Sequence, residues 1–156
     1  MSEENDTNNN NLKSGSNLEK LLRKGEFVVT SELGPPRGAS RKAVEEKADF
    51  LKGYADAFNL TDCQTAMVRL SSIASGAILL DMGMEPVVQL TCRDRNRIAM
   101  QSDILGAAAL GMKNLLCLTG DHQCFGDHPE AKGVFDLDSI NQLDMFRQMR
   151  DEKKFQ

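Results

Sequence analysis

Apolar residues in this chain come in short, dense clusters separated by mixed or polar stretches. Four clusters are too short for helices and rich in β-branched or aliphatic residues: Phe27–Glu32, Ala57–Thr61, Pro86–Thr91 and Leu115–Leu118. Runs of this length with little alternation suit strands of a parallel sheet covered on both faces. Pro86 at the first position of its run agrees with proline starting strands rather than sitting inside them. Between the strands, apolar residues recur at helical spacing. Ala43, Val44, Lys47, Ala48 and Leu51 mark one helix ending at Gly53. A second, rich in Ala, Leu, Ile and Met, runs from about Ala66 to Gly83, with Gly76 as a possible interruption. A third runs from Asp94 to Leu110 and turns Ile98, Leu105 and Ala109 toward the sheet. A fourth, Ile140 to about Glu152, starts at Asp138 or Ser139 and carries Leu143, Phe146 and Met149 on one face. A short leading helix, Asn17–Lys24, takes Ser16 as its cap with Glu19 at the reciprocal position.

The order is a helix, then strand–loop–helix four times, with strand starts about thirty residues apart, the size of a βαβ unit. Crossovers of this kind are right-handed almost without exception, which gives a parallel sheet wrapped by helices. All four strands then end on one rim, where such folds keep their chemistry. Those ends carry Glu32, Thr61 with Asp62, Thr91 with Arg93, and Thr119 with Asp121. The loops that follow are built from chain-breaking residues, as in Leu33-Gly34-Pro35-Pro36-Arg37-Gly38. Leu115–Leu118 runs directly into Thr119-Gly120-Asp121, which frees the backbone and sets a carboxylate just past the strand. As a tripeptide it equally reads as an ordinary turn. Its weight comes from the three earlier strands that end alike.

Composition narrows the function classes. The hydrophobic share of 40% and charged share of 27% are those of a globular protein with a real core. No basic stripe with interleaved aromatics occurs, and the net charge is −4, so nucleic acid is not an expected partner. No apolar run is long enough for a bilayer and no basic-then-apolar leader opens the chain, so a cytoplasmic location is expected. Cys63, Cys92, Cys117 and Cys124 show no C-x-x-C spacing and read as reduced thiols. Residues 1–16 are almost devoid of apolar side chains and are expected to be disordered. His122, Cys124 and His128 lack the tight pairing and fourth ligand of a zinc site, so no metal is assigned. Arg93, Arg95 and Arg97 read as the surface of a helix N-terminus; the alternative is an anionic ligand met at the rim. Met67, Met82, Met84 and Met100 read as core filling.

The strand-end residues resemble the methylenetetrahydrofolate reductase family of (β/α)8 barrels. The matching features are Glu32 ahead of Pro35-Pro36-Arg37, Thr61, Leu90-Thr91-Cys92 followed by Arg93-Asp94, and Leu118-Thr119-Gly120-Asp121. The branch of anaerobic one-carbon metabolism is the most similar, through Asp121-His122-Gln123 and Phe135-Asp136-Leu137-Asp138. The resemblance spans about Leu18 to the C-terminus, so residues 17–156 read as the N-terminal half of such a barrel. It implies that Glu32 is the general acid that protonates the folate's bridging nitrogen and opens the ring to an iminium. A hydride from reduced flavin, here FAD, then gives the methyl group of 5-methyltetrahydrofolate. It implies that Asp121 lies between flavin and pterin, and that Thr61, Asp62, Gln89, Thr119, Gly120, Phe135 and Asp136 contact the cofactor. Two positions depart from the family. Gln89 stands where many relatives have histidine, and Thr119 where many have arginine, which removes a cation near the flavin.

A whole barrel needs about 250 residues, and this chain of 156 carries four βα units. The expectation is a partial (β/α)8 barrel, either a fragment or a protein that needs a homo- or hetero-oligomeric partner to cover its sheet edges. The electron donor stays open among NAD(P)H, ferredoxin and a partner subunit. Two other functions compete: a non-catalytic, partner-dependent half-barrel module, and a pterin-binding methyltransferase-type barrel that needs no flavin.

Overall fold

A computed structural model describes residues 12–156. Four parallel strands, β1 (Thr30–Leu33), β2 (Ala57–Leu60), β3 (Pro86–Thr91) and β4 (Asn114–Leu118), form one sheet in the order β1-β2-β3-β4. Around them run α1 (Asn17–Lys24), α2 (Arg41–Leu51), α3 (Ser72–Asp81), α4 (Arg97–Ala109) and α5 (Ser139–Asp151). Each crossover adds its strand on the same side of the last, without the reversal that marks a doubly wound sheet. The register is staggered, Leu33 pairing with Leu60 and Leu60 with Val88, while Thr91 pairs with Leu118. This is a partial (β/α)8 barrel.

The main core lies between the sheet and α2, α3 and α4, built from Leu33, Val44, Ala48, Leu60, Ile78, Leu79 and Val88. A second cluster of Leu90, Cys92, Met100 and Met145 joins α4 and α5 to β3. The buried face of helix α3 is Ser72, Ser75 and Gly76 followed by Ile78 and Leu79, so its first turns pack close to the sheet. A Cβ on Gly76 would lie 2.9 Å from the Met112 thioether and 3.0 Å from Val88 Cγ1. Gly76 therefore does not interrupt the helix; it permits the approach. Ser72 Oγ, fully buried, donates to the Gln89 carbonyl at 2.7 Å.

Several boundaries differ from the sequence expectation. Strand β1 begins at Thr30, not Phe27, and Phe27 is 92% exposed. β2, the one strand beside it, starts at Ala57 opposite Thr30, so nothing draws Phe27 and Val28 into a ladder. Helix α3 begins at Ser72, not near Ala66, because Cys63, Thr65 and Ala66 adopt left-handed backbone and Ser71 is the cap. Helix α4 begins at Arg97 with Asn96 as its cap, Arg93 to Arg95 being spent on ion pairs ahead of it. Its buried face is Met100, Gln101 and Ala107, whereas Ile98, Leu105 and Ala109 face outward. On α5, Gln142 and Met145 are buried and Leu143 is exposed, because the Gln142 amide donates to the Leu90 carbonyl. Strand β4 is half-buried throughout rather than covered on both faces, since it too is an edge strand.

Helix α1 lies across the amino-terminal end of the sheet. The Glu85 carboxylate accepts from the N–H groups of Asn17 and Leu18 and from the Asn114 amide. Residues 1–11 of the expected tail lie outside the described residues, but Lys13 to Ser16 fold back on the helix. Ser16 caps as expected, while Glu19 does not return to the Ser16 N–H; it accepts from the N–H groups of Lys13, Ser14 and Gly15.

Two measurements test this packing. Gly76→Leu forces side-chain volume between α3 and β3 and lowers the unfolding free energy by about 1–3 kcal/mol, seen as a lower urea midpoint at unchanged slope. The Lys13 N–H, opposed by burial and aided by Ser14 and Gly15, lowers the Glu19 pKa from 4.5 to about 2. A lowered carboxyl pKa stabilises above the unfolded value. The turn at Lys13–Gly15 is therefore intact above pH 4.5 and released as pH falls toward 2, with the Ser14 and Gly15 amide signals shifting across that window.

Candidate functional site

The carboxyl ends of the four strands enclose a cavity of about 410 Å³ lined by Glu32, Thr61, Asp62, Gln89, Gly120 and Asp121, together with Gln64, Thr91, Arg93 and Leu118. Both expected carboxylates, Glu32 and Asp121, thus face one space. Glu32 is exposed rather than sunk into a mouth, because β1 is at the sheet edge.

Asp62 lines this cavity but is already engaged. It is 3% exposed and accepts from the Thr91 N–H at 2.9 Å and hydroxyl at 3.1 Å and from Arg95 at 2.7 Å. Arg95 turns its Nε to Asp103 at 2.8 Å. Burial alone would lower the Arg95 pKa, but Asp62 and Asp103 outweigh it and raise it. A buried charge needs a partner, so this chain of acid, arginine and acid locks the end of β2 to β3 and to α4.

Arg93 is the larger surprise. Its side chain is 3% exposed. The fork of Nε and Nη2 grips Asp94 at 2.8 and 2.7 Å. Nη1 donates to the Asp121 carbonyl and Nη2 to the Cys63 carbonyl, each at 3.2 Å. Its own N–H donates to the Thr119 carbonyl and its carbonyl accepts from Val134 N–H. The hydrogen bonds to Asp94 raise the Arg93 pKa. Burial would raise the Asp94 pKa, and Arg93 reverses this to a net lowering. Arg93 and Arg95 are therefore interior ion-pair residues and not an exposed helix-end surface. The signal was their alternation with acids at the end of a strand.

Asp121 follows Gly120, whose φ of +96° and close approach to Thr91 and Arg93, 3.1 Å from a would-be Cβ, leave room for glycine alone. One Asp121 carboxylate oxygen accepts from Thr65 N–H at 2.8 Å. The loop after β4 also closes on its neighbours through Asp127, which pairs with Arg37 and accepts from Val68 N–H. Gly126 sits so tightly on Ala66 that a Cβ would fall 1.9 Å from its carbonyl oxygen.

Three expected cofactor contacts lie outside the cavity lining. Thr119 Oγ1 accepts from Ser139 N–H and so starts α5. Asp136 accepts from the N–H and guanidinium of Arg97, which starts α4 and, with the side chain of Arg97 foremost, lowers the Asp136 pKa to about 2. Phe135 donates its N–H to the Cys92 carbonyl and lies parallel to the His122 ring, centroids 6.5 Å apart. Each is drawn outward by a helix start or loop contact. His122 turns its Nδ1 to the Cys124 N–H. Burial pushes the Cys92 and Cys117 thiols up to about 11, which leaves both protonated at neutral pH and unfit as nucleophiles.

A flat, hydrogen-bonding ring such as a flavin's fits the residues present. Thr61 Oγ1 is buried, lines the cavity and has no partner within the protein. An unpaired buried hydroxyl costs free energy that a ligand contact would recover.

The family model for methylenetetrahydrofolate reductase matches residues 17–154. With that match over most of its length, the chain belongs to the methylenetetrahydrofolate reductase family. Membership carries folate-related reduction in general, and an oxidoreductase-type enzyme. No curated protein matches the chain. Among the described residues no helix is long and apolar enough to cross a membrane.

Asp62→Ala leaves Arg95 with Asp103 as its one acidic partner and strips the Thr91 N–H and hydroxyl of their acceptor. It should cost about 3 kcal/mol or more in urea unfolding. Thr119→Val, outside the cavity, should cost about 1 kcal/mol, the value of one hydrogen bond at a helix start.

Proposed function

We propose that this chain carries the flavin-dependent reduction of 5,10-methylenetetrahydrofolate to 5-methyltetrahydrofolate, with FAD as cofactor. The observation that carries the reading is the shared cavity of Glu32 and Asp121 at the carboxyl ends of parallel strands. When bound, reduced FAD supplies the hydride. Thr61 and Gln89 would hold it, the hydroxyl donating into the ring's polar edge and the amide able to donate or accept. Glu32 delivers a proton to the folate's bridging nitrogen, which turns that nitrogen into a leaving group and opens the five-membered ring. Asp121, with one oxygen held by Thr65 N–H, keeps the other oxygen for a ring N–H of the bound substrate. Asp62 is spent on Arg95 and Thr91, so it acts on the site through them. Electrons reach the cofactor from a reduced nicotinamide, a ferredoxin or a partner subunit. The unpaired outer edges of β1 and β4 favour a further strand on each side, from the same or a second polypeptide.

The test is spectroscopic and kinetic. Protein reconstituted with FAD should hold it through gel filtration as a yellow complex, and its reduced form should be reoxidised by methylenetetrahydrofolate. Glu32→Gln should keep the yellow colour and slow reoxidation by about 10²-fold or more. A colourless protein, or reduced flavin indifferent to the folate, would overturn the reading.

A further inference from the structure

Asp121 and the loop that steadies it share one anchor. The carboxylate is held by the Thr65 N–H at 2.8 Å. Thr65 has φ of 56° and Cys63 has φ of 47°, backbone that costs of order 1–3 kcal/mol at a non-glycine residue and persists only where its surroundings impose it. The donor imposed on that turn is Arg93 Nη2, on the Cys63 carbonyl at 3.2 Å. The neighbouring Nη1 donates at 3.2 Å to the carbonyl of Asp121 itself. A single planar guanidinium therefore fixes the Asp121 backbone directly and its carboxylate through the turn. Asp94 accepts from Nε and Nη2 along the adjacent edge of the fork.

We propose that Arg93 is a positioning residue for Asp121, setting the direction in which its carboxylate faces the cavity. The inference rests on the reductase reading only for its kinetic consequence. A lysine at this position keeps the charge but offers no rigid fork for two carbonyls in different loops.

Three measurements on the full chain, by nitrogen-resolved NMR, decide it without bound cofactor. In the wild type, the Arg93 Nη protons should give separate, slowly exchanging signals in the cold. Arg93→Lys should speed exchange of the Thr65 amide by about tenfold or more while Val88 and Leu90 in β3 stay within about twofold, a local opening and not a general loosening. Asp94→Asn keeps both carbonyl contacts and should leave Thr65 protected. The inference is overturned by a freely rotating guanidinium, by an unchanged Thr65 amide in Arg93→Lys, by equal loosening of β3, or by Asp94→Asn matching Arg93→Lys. Should Arg93→Lys not fold, the wild-type guanidinium signals still decide: slow, separate Nη signals support the inference and a freely rotating group overturns it. In FAD-loaded protein, Arg93→Lys should lower kcat about tenfold with KM within about threefold, and the loss should vanish in an Asp121→Asn background. An additive loss there would count against positioning. A wild type with no reductase activity would sink the reductase reading and leave the exchange result standing.

Discussion

A guanidinium withdrawn from water must find an acceptor for its N–H groups, or the charge is not tolerated. Arg93 meets this demand with one carboxylate and two backbone carbonyls, taken from three different loops. The carboxyl ends of β2, β3 and β4 are consequently tied to one planar group. The same residue uses its main chain to extend the β3–β4 ladder past Leu118 and to receive Val134 from the far end of the long loop. Much of the rim geometry follows from satisfying this single ion. Arg95 repeats the arrangement one layer outward, between Asp62 and Asp103.

The division of labour between the two ends of the sheet is equally electrostatic. At the amino-terminal end, Glu85 satisfies the first N–H groups of α1 and the side chain of Asn114 at once. These contacts join α1, β3 and β4 and serve packing. At the carboxyl end, by contrast, Thr61 keeps a buried hydroxyl without a partner and Glu32, lining the same cavity, is exposed. At the rim, Thr61 thus offers an open hydrogen bond to a ligand, whereas Asp62 and Arg93 beside it are fully engaged within the protein.

The parallel sheet and the shared rim could be read from the chain alone, because short apolar runs at a βαβ period admit few topologies. Glu32, Thr61, Gly120 and Asp121 were legible for the same reason, each standing at or just past the end of a strand, whereas Gln89, inside β3, was named through the family resemblance. The failures have a common origin. Phe27 and the half-buried β4 were assigned to covered strands from their apolarity, which does not register whether a neighbour is present. Ile98 and Leu143 were turned inward for being apolar, while Gln101 and Gln142 took those faces through hydrogen bonds that periodicity cannot show. Arg93 was read as surface because charge suggests water; its burial depends on acceptors in loops remote in sequence. Thr119, Asp136 and Phe135 follow the family pattern in order, yet here they serve the starts of α5 and α4 and the long loop.

The contact of Gly126 on Ala66, with Asp127 alongside on Val68, joins two loops 59 residues apart at the latter pair. Neither can lengthen or shift without the other, since a single methyl group on Gly126 would already collide with a carbonyl oxygen. Inherited change in these two loops should therefore arrive in pairs, and a graft of either one from a relative would succeed only when its counterpart is transplanted with it.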